Sequence, residues 1–229
     1  KIADMAKNMM AENFKDMGGS KIAAMAKNME SENFKDMGGS KIADMAKNME
    51  YENFKDMGGS KMVDITKNME STHISKLGSS QVVGIALTMN TENLESIKGS
   101  KIATMANTIK SDHILNLGTS RLTVMANKIN PEDVKNIQIK NLSGMTAAID
   151  ESTIKNFNQD KKSAILETLK ADFFKSKGSG FKQLESSTTA KTSTTFDKAP
   201  TSTRASQISS ARTRALTLLK GKGLFNQSS

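Results

Sequence analysis

The feature that most constrains this chain is a period. The stretch Lys21-Ile-Ala-Ala-Met-Ala-Lys-Asn-Met-Glu-Ser-Glu-Asn-Phe-Lys-Asp-Met-Gly-Gly-Ser40 recurs almost letter for letter at residues 1–20 and 41–60. Residues 61–180 lie on the same twenty-residue ruler without insertion or deletion, although identity decays toward the C-terminus. A chain built this way grows in one dimension, each unit burying its apolar face on its neighbours.

With each unit numbered 1 to 20, positions 2, 5, 6 and 9 are apolar almost throughout, as in Ile22, Met25, Ala26 and Met29. This i, i+3, i+4, i+7 spacing predicts an amphipathic helix. Ser20, Ser40, Ser60, Ser80, Ser100 and Ser120 stand just before it, with Asp160 in the same place before the ninth unit. They are expected to be its N-caps. Positions 14 and 17, as in Phe34 and Met37, make a second, shorter stripe. Its start is marked by Ser31, Ser71, Thr91, Ser111 and Asn130-Pro131-Glu132, proline suiting a first helical turn. Gly18-Gly19 and its copies are expected to end the second helix in a left-handed cap. Each unit therefore reads as a helix of about nine residues, a turn, a helix of about six and a glycine turn. Helices this short are marginal alone in water, so stacking must hold them.

The fold expected is all-α: an α-solenoid of nine 20-residue two-helix repeats over residues 1–180, followed by a mostly extended basic tail. At roughly 8–10 Å per layer, one layer per unit gives a rod on the order of 80–90 Å. Met supplies much of the seam, with ten of the 16 Met residues in the first three units, which favours adaptable packing. Residues 161–180 read as a C-terminal cap, because Lys162 and Lys177 place charge at positions 2 and 17. Residues 1–20 keep the full apolar set. Either more repeats precede Lys1 or another subunit covers that end. A start at the first position of a repeat, without Met, reads as a processed product or a fragment of a longer array.

Beyond residue 180 the composition changes. Residues 181–205 form a Ser/Thr-rich linker, with 11 Ser or Thr among residues 186–203, expected to be disordered when free. Residues 206–229 form a basic amphipathic segment. Residues 181–229 hold eight basic and two acidic residues, against 25 and 22 in residues 1–180, so the tail carries most of the +9 net charge. Partner-binding residues are expected at Arg204, Arg212, Arg214, Leu218, Leu219, Lys220, Lys222, Leu224 and Phe225. Three readings stand for this tail: a solubilising extension, a strap that docks on a neighbouring subunit, or a ligand for a polyanion such as nucleic acid or a cytoskeletal polymer.

Catalysis finds little footing. There is no Cys, which excludes disulfides, thiolate chemistry and Cys-type zinc sites. The acidic residues Glu12 and Asp16 recur beside Lys15 and Lys7 on successive units, as on a solvated mixed-charge face. An acid/base site instead gathers a few groups in one pocket. His73 and His113 share position 13 two units apart, too far for one metal ion, and read as surface polar residues. The recurring Gly-Gly-Ser-Lys resembles a phosphate cradle at a helix N-terminus. Its spacing is not that of a P-loop, and it reads as a turn. Asn141-Leu-Ser143 and Asn226-Gln-Ser228 match glycosylation acceptors, relevant only to a secreted chain. No apolar run approaches the roughly 20 residues that span a bilayer, and no signal peptide is visible. Neither cofactor, metal nor small-molecule substrate is expected, and an intracellular location is favoured.

Two short helices in a unit of about twenty residues resemble the superhelical repeats of the mesothelin and stereocilin kind, and similar arrays in bacterial surface proteins. Asn130-Pro131-Glu132 echoes their Pro-Glu helix starts, while the Met seam and the Gly-Gly-Ser turns depart from them. The function expected is a non-enzymatic structural or scaffolding subunit of a larger assembly or filament. Its partners would be other proteins or copies of itself, with the tail as docking strap. The alternative is a polyanion-binding module acting through the tail.

Overall fold

The computed structural model describes residues 2–170, and among these every regular element is a helix. The longer helices are α1 (Ile2–Asn8), α3 (Gly19–Lys27), α5 (Gly39–Lys47), α7 (Gly59–Asn68), α9 (Ser79–Thr88), α11 (Gly99–Thr108), α12 (Gly118–Lys128) and α14 (Ile139–Ala148). Between them come α2 (Ala11–Met17), α4 (Ser31–Met37), α6 (Tyr51–Met57), α8 (Ser71–Ile74), α10 (Thr91–Glu95), a 3-10 turn over Ile114–Leu117, α13 (Pro131–Val134) and α15 (Glu151–Asn156). Residues 159–170 are helical again. The alternation of one longer and one shorter element per unit follows from the two apolar stripes.

The core is the seam read from the period. Phe14, Phe34 and Phe54 are fully buried, as are Ile22, Ile42, Met45 and Met49, and Leu94, Ile114 and Leu122 continue the line. Each such side chain is worth about 1.5–3 kcal/mol of burial, which is what lets four- to seven-residue helices persist. Threonine replaces the position-6 alanine at Thr66 and Thr146. Both hydroxyls donate to the carbonyl four residues back, Met62 at 2.7 Å and Leu142 at 2.9 Å, so the buried oxygens are satisfied.

Layers and repeats do not coincide. Counting the 3-10 turn, each element packs on the one three further along: α1 on α4, α2 on α5, α3 on α6, α6 on α9, and so to α14 on the 3-10 turn. Three elements are one and a half units, so this contact always joins a longer element to a shorter one. A further set of contacts joins neighbouring longer helices, as α5 with α7 and α12 with α14.

The caps differ from the expectation. Helices α3, α5 and α7 begin at Gly19, Gly39 and Gly59, so Ser20, Ser40 and Ser60 lie inside the first turn. Asp160 likewise lies inside its helix, and Asn158 takes the capping place with its Oδ1 accepting from the Lys161 N–H at 2.9 Å. Gly18, Gly38 and Gly58 bridge the two helices at φ 75 to 83° and ψ 152 to 162°. That is an extended conformation open in practice to glycine alone, not the left-handed helical cap. The adjacent glycine has another reason: a Cβ on Gly39 would stand 2.6 Å from Nδ1 of His73 and 2.8 Å from the Asn68 carbonyl.

Candidate interaction surface

The recurring lysine of Gly-Gly-Ser-Lys is occupied. From the third unit on, the residue at position 1 donates to main-chain carbonyls at the C-terminal end of a longer helix two units earlier. Lys41 reaches the Lys7 carbonyl and Lys61 that of Met29. Lys101 Nζ donates to the carbonyls of Lys67 at 2.6 Å and Thr66 at 3.2 Å. Arg121 spans Met89 and Leu87, both at 2.9 Å, through Nε and a terminal guanidinium nitrogen. Lys161 closes the series on Asn127 at 2.8 Å and Ala126 at 3.0 Å. Unpaired carbonyls and the negative end of the helix dipole both favour a cation there. These lysines therefore clamp helix ends rather than offer a phosphate cradle. Burial pushes the Lys101 and Lys161 amines below the usual lysine value, with Glu70 partly opposing the shift at Lys101.

Neutral donors fill the same position where the sequence drifts. Gln81 reaches the Met49 carbonyl at 3.5 Å. Asn141 is fully buried, its Nδ2 donating to Ala106 at 2.7 Å and Ile109 at 2.6 Å. The glycosylation acceptor Asn141-Leu-Ser143 is thus inaccessible in the fold, because its amide is spent on the clamp.

Position 13 caps the shorter helices from the other side. Oδ1 of Asn13 and of Asn33 accepts from the N–H three residues before, both at 2.7 Å, and Asn53 does so at 2.9 Å. His73 takes the same role, its Nδ1 accepting from the Glu70 N–H at 3.1 Å. At His113 the job has passed to another layer: the Ser79 hydroxyl accepts from the Lys110 N–H at 2.8 Å and lies 3.2 Å from the His113 ring. Sequence reasoning placed both histidines on the surface and missed this capping role. The signal was present, since both stand where the repeat writes Asn.

Several acidic residues are met by lysines of their own helices. Lys35 meets Glu32 at 3.1 Å, Lys55 meets Glu52 at 3.5 Å and Lys155 meets Glu151 at 2.7 Å. Exposed pairs of this kind contribute little to stability. Among the described residues no cluster of three or more His, Asp or Glu could hold a metal ion, and no helix is long and apolar enough to cross a membrane.

Two recesses open on the surface. One, of about 280 Å³, is walled by hydroxyls and amides of α8, α11 and residues 133–136, among them Ser71, Thr72, Thr104 and Asn107. The other, of about 570 Å³, lies at the N-terminal end against Met5, Asn8, Met9 and Asn13. There Met5 is 65% and Met10 72% exposed, whereas Met45, the position-5 copy in the third unit, is buried. The expected cap residue Lys162 is half-buried and donates to the Lys155 carbonyl at 2.7 Å. Its companion Lys177 lies outside the described residues, as do Arg204, Arg212, Arg214, Leu218, Leu219, Lys220, Lys222, Leu224, Phe225 and the acceptor Asn226-Gln-Ser228. No family model, curated protein or solved structure matches the chain, so this surface is read on its own chemistry.

Proposed function

We propose that the chain is a non-enzymatic scaffolding subunit: an α-solenoid of 20-residue, two-helix repeats used as a regular rod, with the basic segment 181–229 as its docking strap. The observation that carries this reading is the clamp series. Lys41, Lys61, Gln81, Lys101, Arg121, Asn141 and Lys161 tie each longer helix to one two units back. Such a ladder makes the repeats one mechanically continuous body, as a spacer or lattice element needs. With three elements per layer at roughly 10 Å, residues 2–170 would span on the order of 60 Å, shorter than one layer per repeat implies.

Removing residues 181–229 tests the strap. Helical content should be unchanged by circular dichroism, while the chain should no longer copurify with its native assembly. Retention of the shortened chain in that assembly would refute the role. The polyanion alternative draws on the eight basic and two acidic residues of the same segment. It predicts binding to duplex DNA or heparin that weakens steeply with added salt, through release of counterions. A strap seated on apolar protein surface should change little with salt.

A further inference from the structure

We propose that the recess on α8, α11 and α13 is a binding site for a neutral saccharide. It lies in the interior of the array, goes beyond the scaffold reading and does not depend on how the tail docks.

Because each element packs on the one three further along, short, long and short elements stack in triads that can be compared residue by residue. In α4, α7 and α10 the hollow between the first two is bridged by the Ser31 hydroxyl, which donates to the Asp64 carboxylate at 2.8 Å. In α6, α9 and the 3-10 turn it is pressed shut, with Gly84 against Tyr51 and the Phe54 ring. In α8, α11 and α13 the matching pair is Ser71 and Thr104, which neither bridges nor presses. Thr104 donates its hydroxyl to the Ser100 carbonyl at 2.9 Å, and the Ser71 hydroxyl has no partner among the described residues. The recess of about 280 Å³ opens at this pair.

The same departures from the repeat strip the wall of charge. Where α4 and α7 carry Glu32, Lys35 and Lys67, α8 and α11 carry Thr72, Ser75 and Asn107. Asp133 alone among the lining side chains is charged, and Ala103 alone is apolar. What remains is a set of donors and acceptors with capacity to spare. The Asn107 Oδ1 accepts from the Gln138 N–H at 2.9 Å, while its Nδ2 has no partner among the described residues. Ser75 donates to the Thr72 carbonyl at 3.0 Å, so its oxygen, like that of Thr104, is left to accept. One oxygen of Asp133 meets the Asn130 amide at 3.4 Å, a weak bond. Ser71, Thr104, Asn107 and Asp133 are each half-buried, so a ligand that reaches them is held on more than one side.

This wall selects by exclusion. A phosphate or carboxylate would face Asp133 with no cation in the wall to meet it. A calcium ion takes about six to eight oxygen ligands, carboxylates among them, and no three acidic or His side chains gather among the described residues. An apolar ligand would strand the hydroxyls. A sugar fits. Each of its hydroxyls donates and accepts at once, as do those of Ser and Thr. A carboxylate that accepts from two neighbouring sugar hydroxyls makes the stronger, charge-assisted bonds. The volume lies just under the roughly 300–1,000 Å³ of pockets for drug-sized ligands, which suits a mono- or disaccharide.

The test is an NMR titration of the isotope-labelled full chain with glucose, mannose, galactose, N-acetylglucosamine, maltose and lactose at millimolar concentration. At least one should shift amide resonances of α8, α11 and residues 131–136 saturably and leave those of α1 to α4 in place. Asp133→Asn should weaken that binding about tenfold, the usual worth of a bond to a charged group. Thr104→Asp copies the Ser31–Asp64 bridge: the new carboxylate should accept from the Ser71 hydroxyl and close the recess. Binding should then be abolished without loss of helicity, because the array already holds that pair between α4 and α7. The proposal is overturned if no sugar of the panel moves these resonances, or if binding is unchanged in either variant. It is also overturned if inorganic phosphate or calcium moves them at lower concentration than any sugar. None of these outcomes touches the strap, which is judged by deletion of residues 181–229 alone.

Discussion

Gly84 and Phe54 stand where two layers press closest: a Cβ on Gly84 would sit 2.8 Å from Cδ2 of the Phe54 ring and 3.4 Å from the Tyr51 Cα. At this position the preceding unit carries Asp64, whose carboxylate accepts from the Ser31 hydroxyl at 2.8 Å. The two pairs are the same contact written in two ways. A small polar residue faces a carboxylate in one, and a tyrosine backbone with a buried ring faces a glycine in the other.

Gly84→Ala therefore sets two effects against each other. Alanine is the better helix former by about 1 kcal/mol, but overpacking a closed contact costs typically about 1–3 kcal/mol. Phe54 is fully buried and α9 packs tightly on α6, so the ring has nowhere to yield and the clash should win. Urea denaturation should show a net loss of roughly 1 kcal/mol, and Phe54→Leu in the same chain should recover part of it. A more stable Gly84→Ala single variant would show that the contact is looser than the structure has it.

The two glycines of one junction should behave differently in a double-mutant cycle. Gly38 has φ 76° and open space around its missing Cβ, so Gly38→Ala acts through backbone strain alone. Gly39→Ala drives a Cβ toward His73 and the Asn68 carbonyl. Paired with His73→Ala, Gly39→Ala should show a coupling of about 0.5 kcal/mol or more, whereas Gly38→Ala should be additive within about 0.3–0.5 kcal/mol. His73→Asn, the residue of the neighbouring units, should keep the cap. His73→Ala should lose about 1 kcal/mol, the usual worth of such a bond.

Periodicity made the seam legible, down to Met45, Phe54 and Leu94, because burial of one helix face repeats every turn of the helix. It did not make the layers legible. A twenty-residue period says which residues point inward, not which helix lies on which, and one layer per unit was the simplest reading. The register was recoverable only from departures that change together at a fixed separation. Tyr51 departs with Gly84, and Ser79 departs with His113, at separations of 33 and 34 residues. The caps failed for a different reason. A serine in the first turn and a serine at the N-cap look alike in sequence, and the glycine that opens the helix one residue earlier decided between them. Reading Gly-Gly-Ser-Lys as a turn left the lysine at position 1 without a role, because its acceptors are carbonyls about 34 residues away.

Arg121 tests the clamp. Its guanidinium meets two carbonyls at once, at 2.9 Å each. Arg121→Lys restores the residue of other units and should cost less than about 1 kcal/mol, while Arg121→Leu should cost about 1–3 kcal/mol by stranding the acceptors. Because an array couples mainly to its neighbours, amide exchange should quicken in α9 and α12 and stay unchanged in α1 to α5. Uniform acceleration across all helices would rule out a local clamp.

Lys161 gives the pH dependence. It is buried, donates to Ala126 and Asn127, and stands 5.1 Å from the centre of the Phe157 ring. Burial lowers its amine below the ordinary lysine value. Between that lowered value and the ordinary one, the folded chain releases a proton that the unfolded chain still holds. The unfolded state then binds more protons, so this lysine's contribution to stability rises with pH across the window and is absent below it. Arginine stays charged throughout and has no such term. Measured from neutral pH up to 10.5, the stability of the wild type relative to Lys161→Arg should therefore increase. A constant difference would mean that the ammonium keeps its ordinary affinity for the proton inside the clamp, and that the two carbonyls and the Phe157 ring repay its loss of water in full.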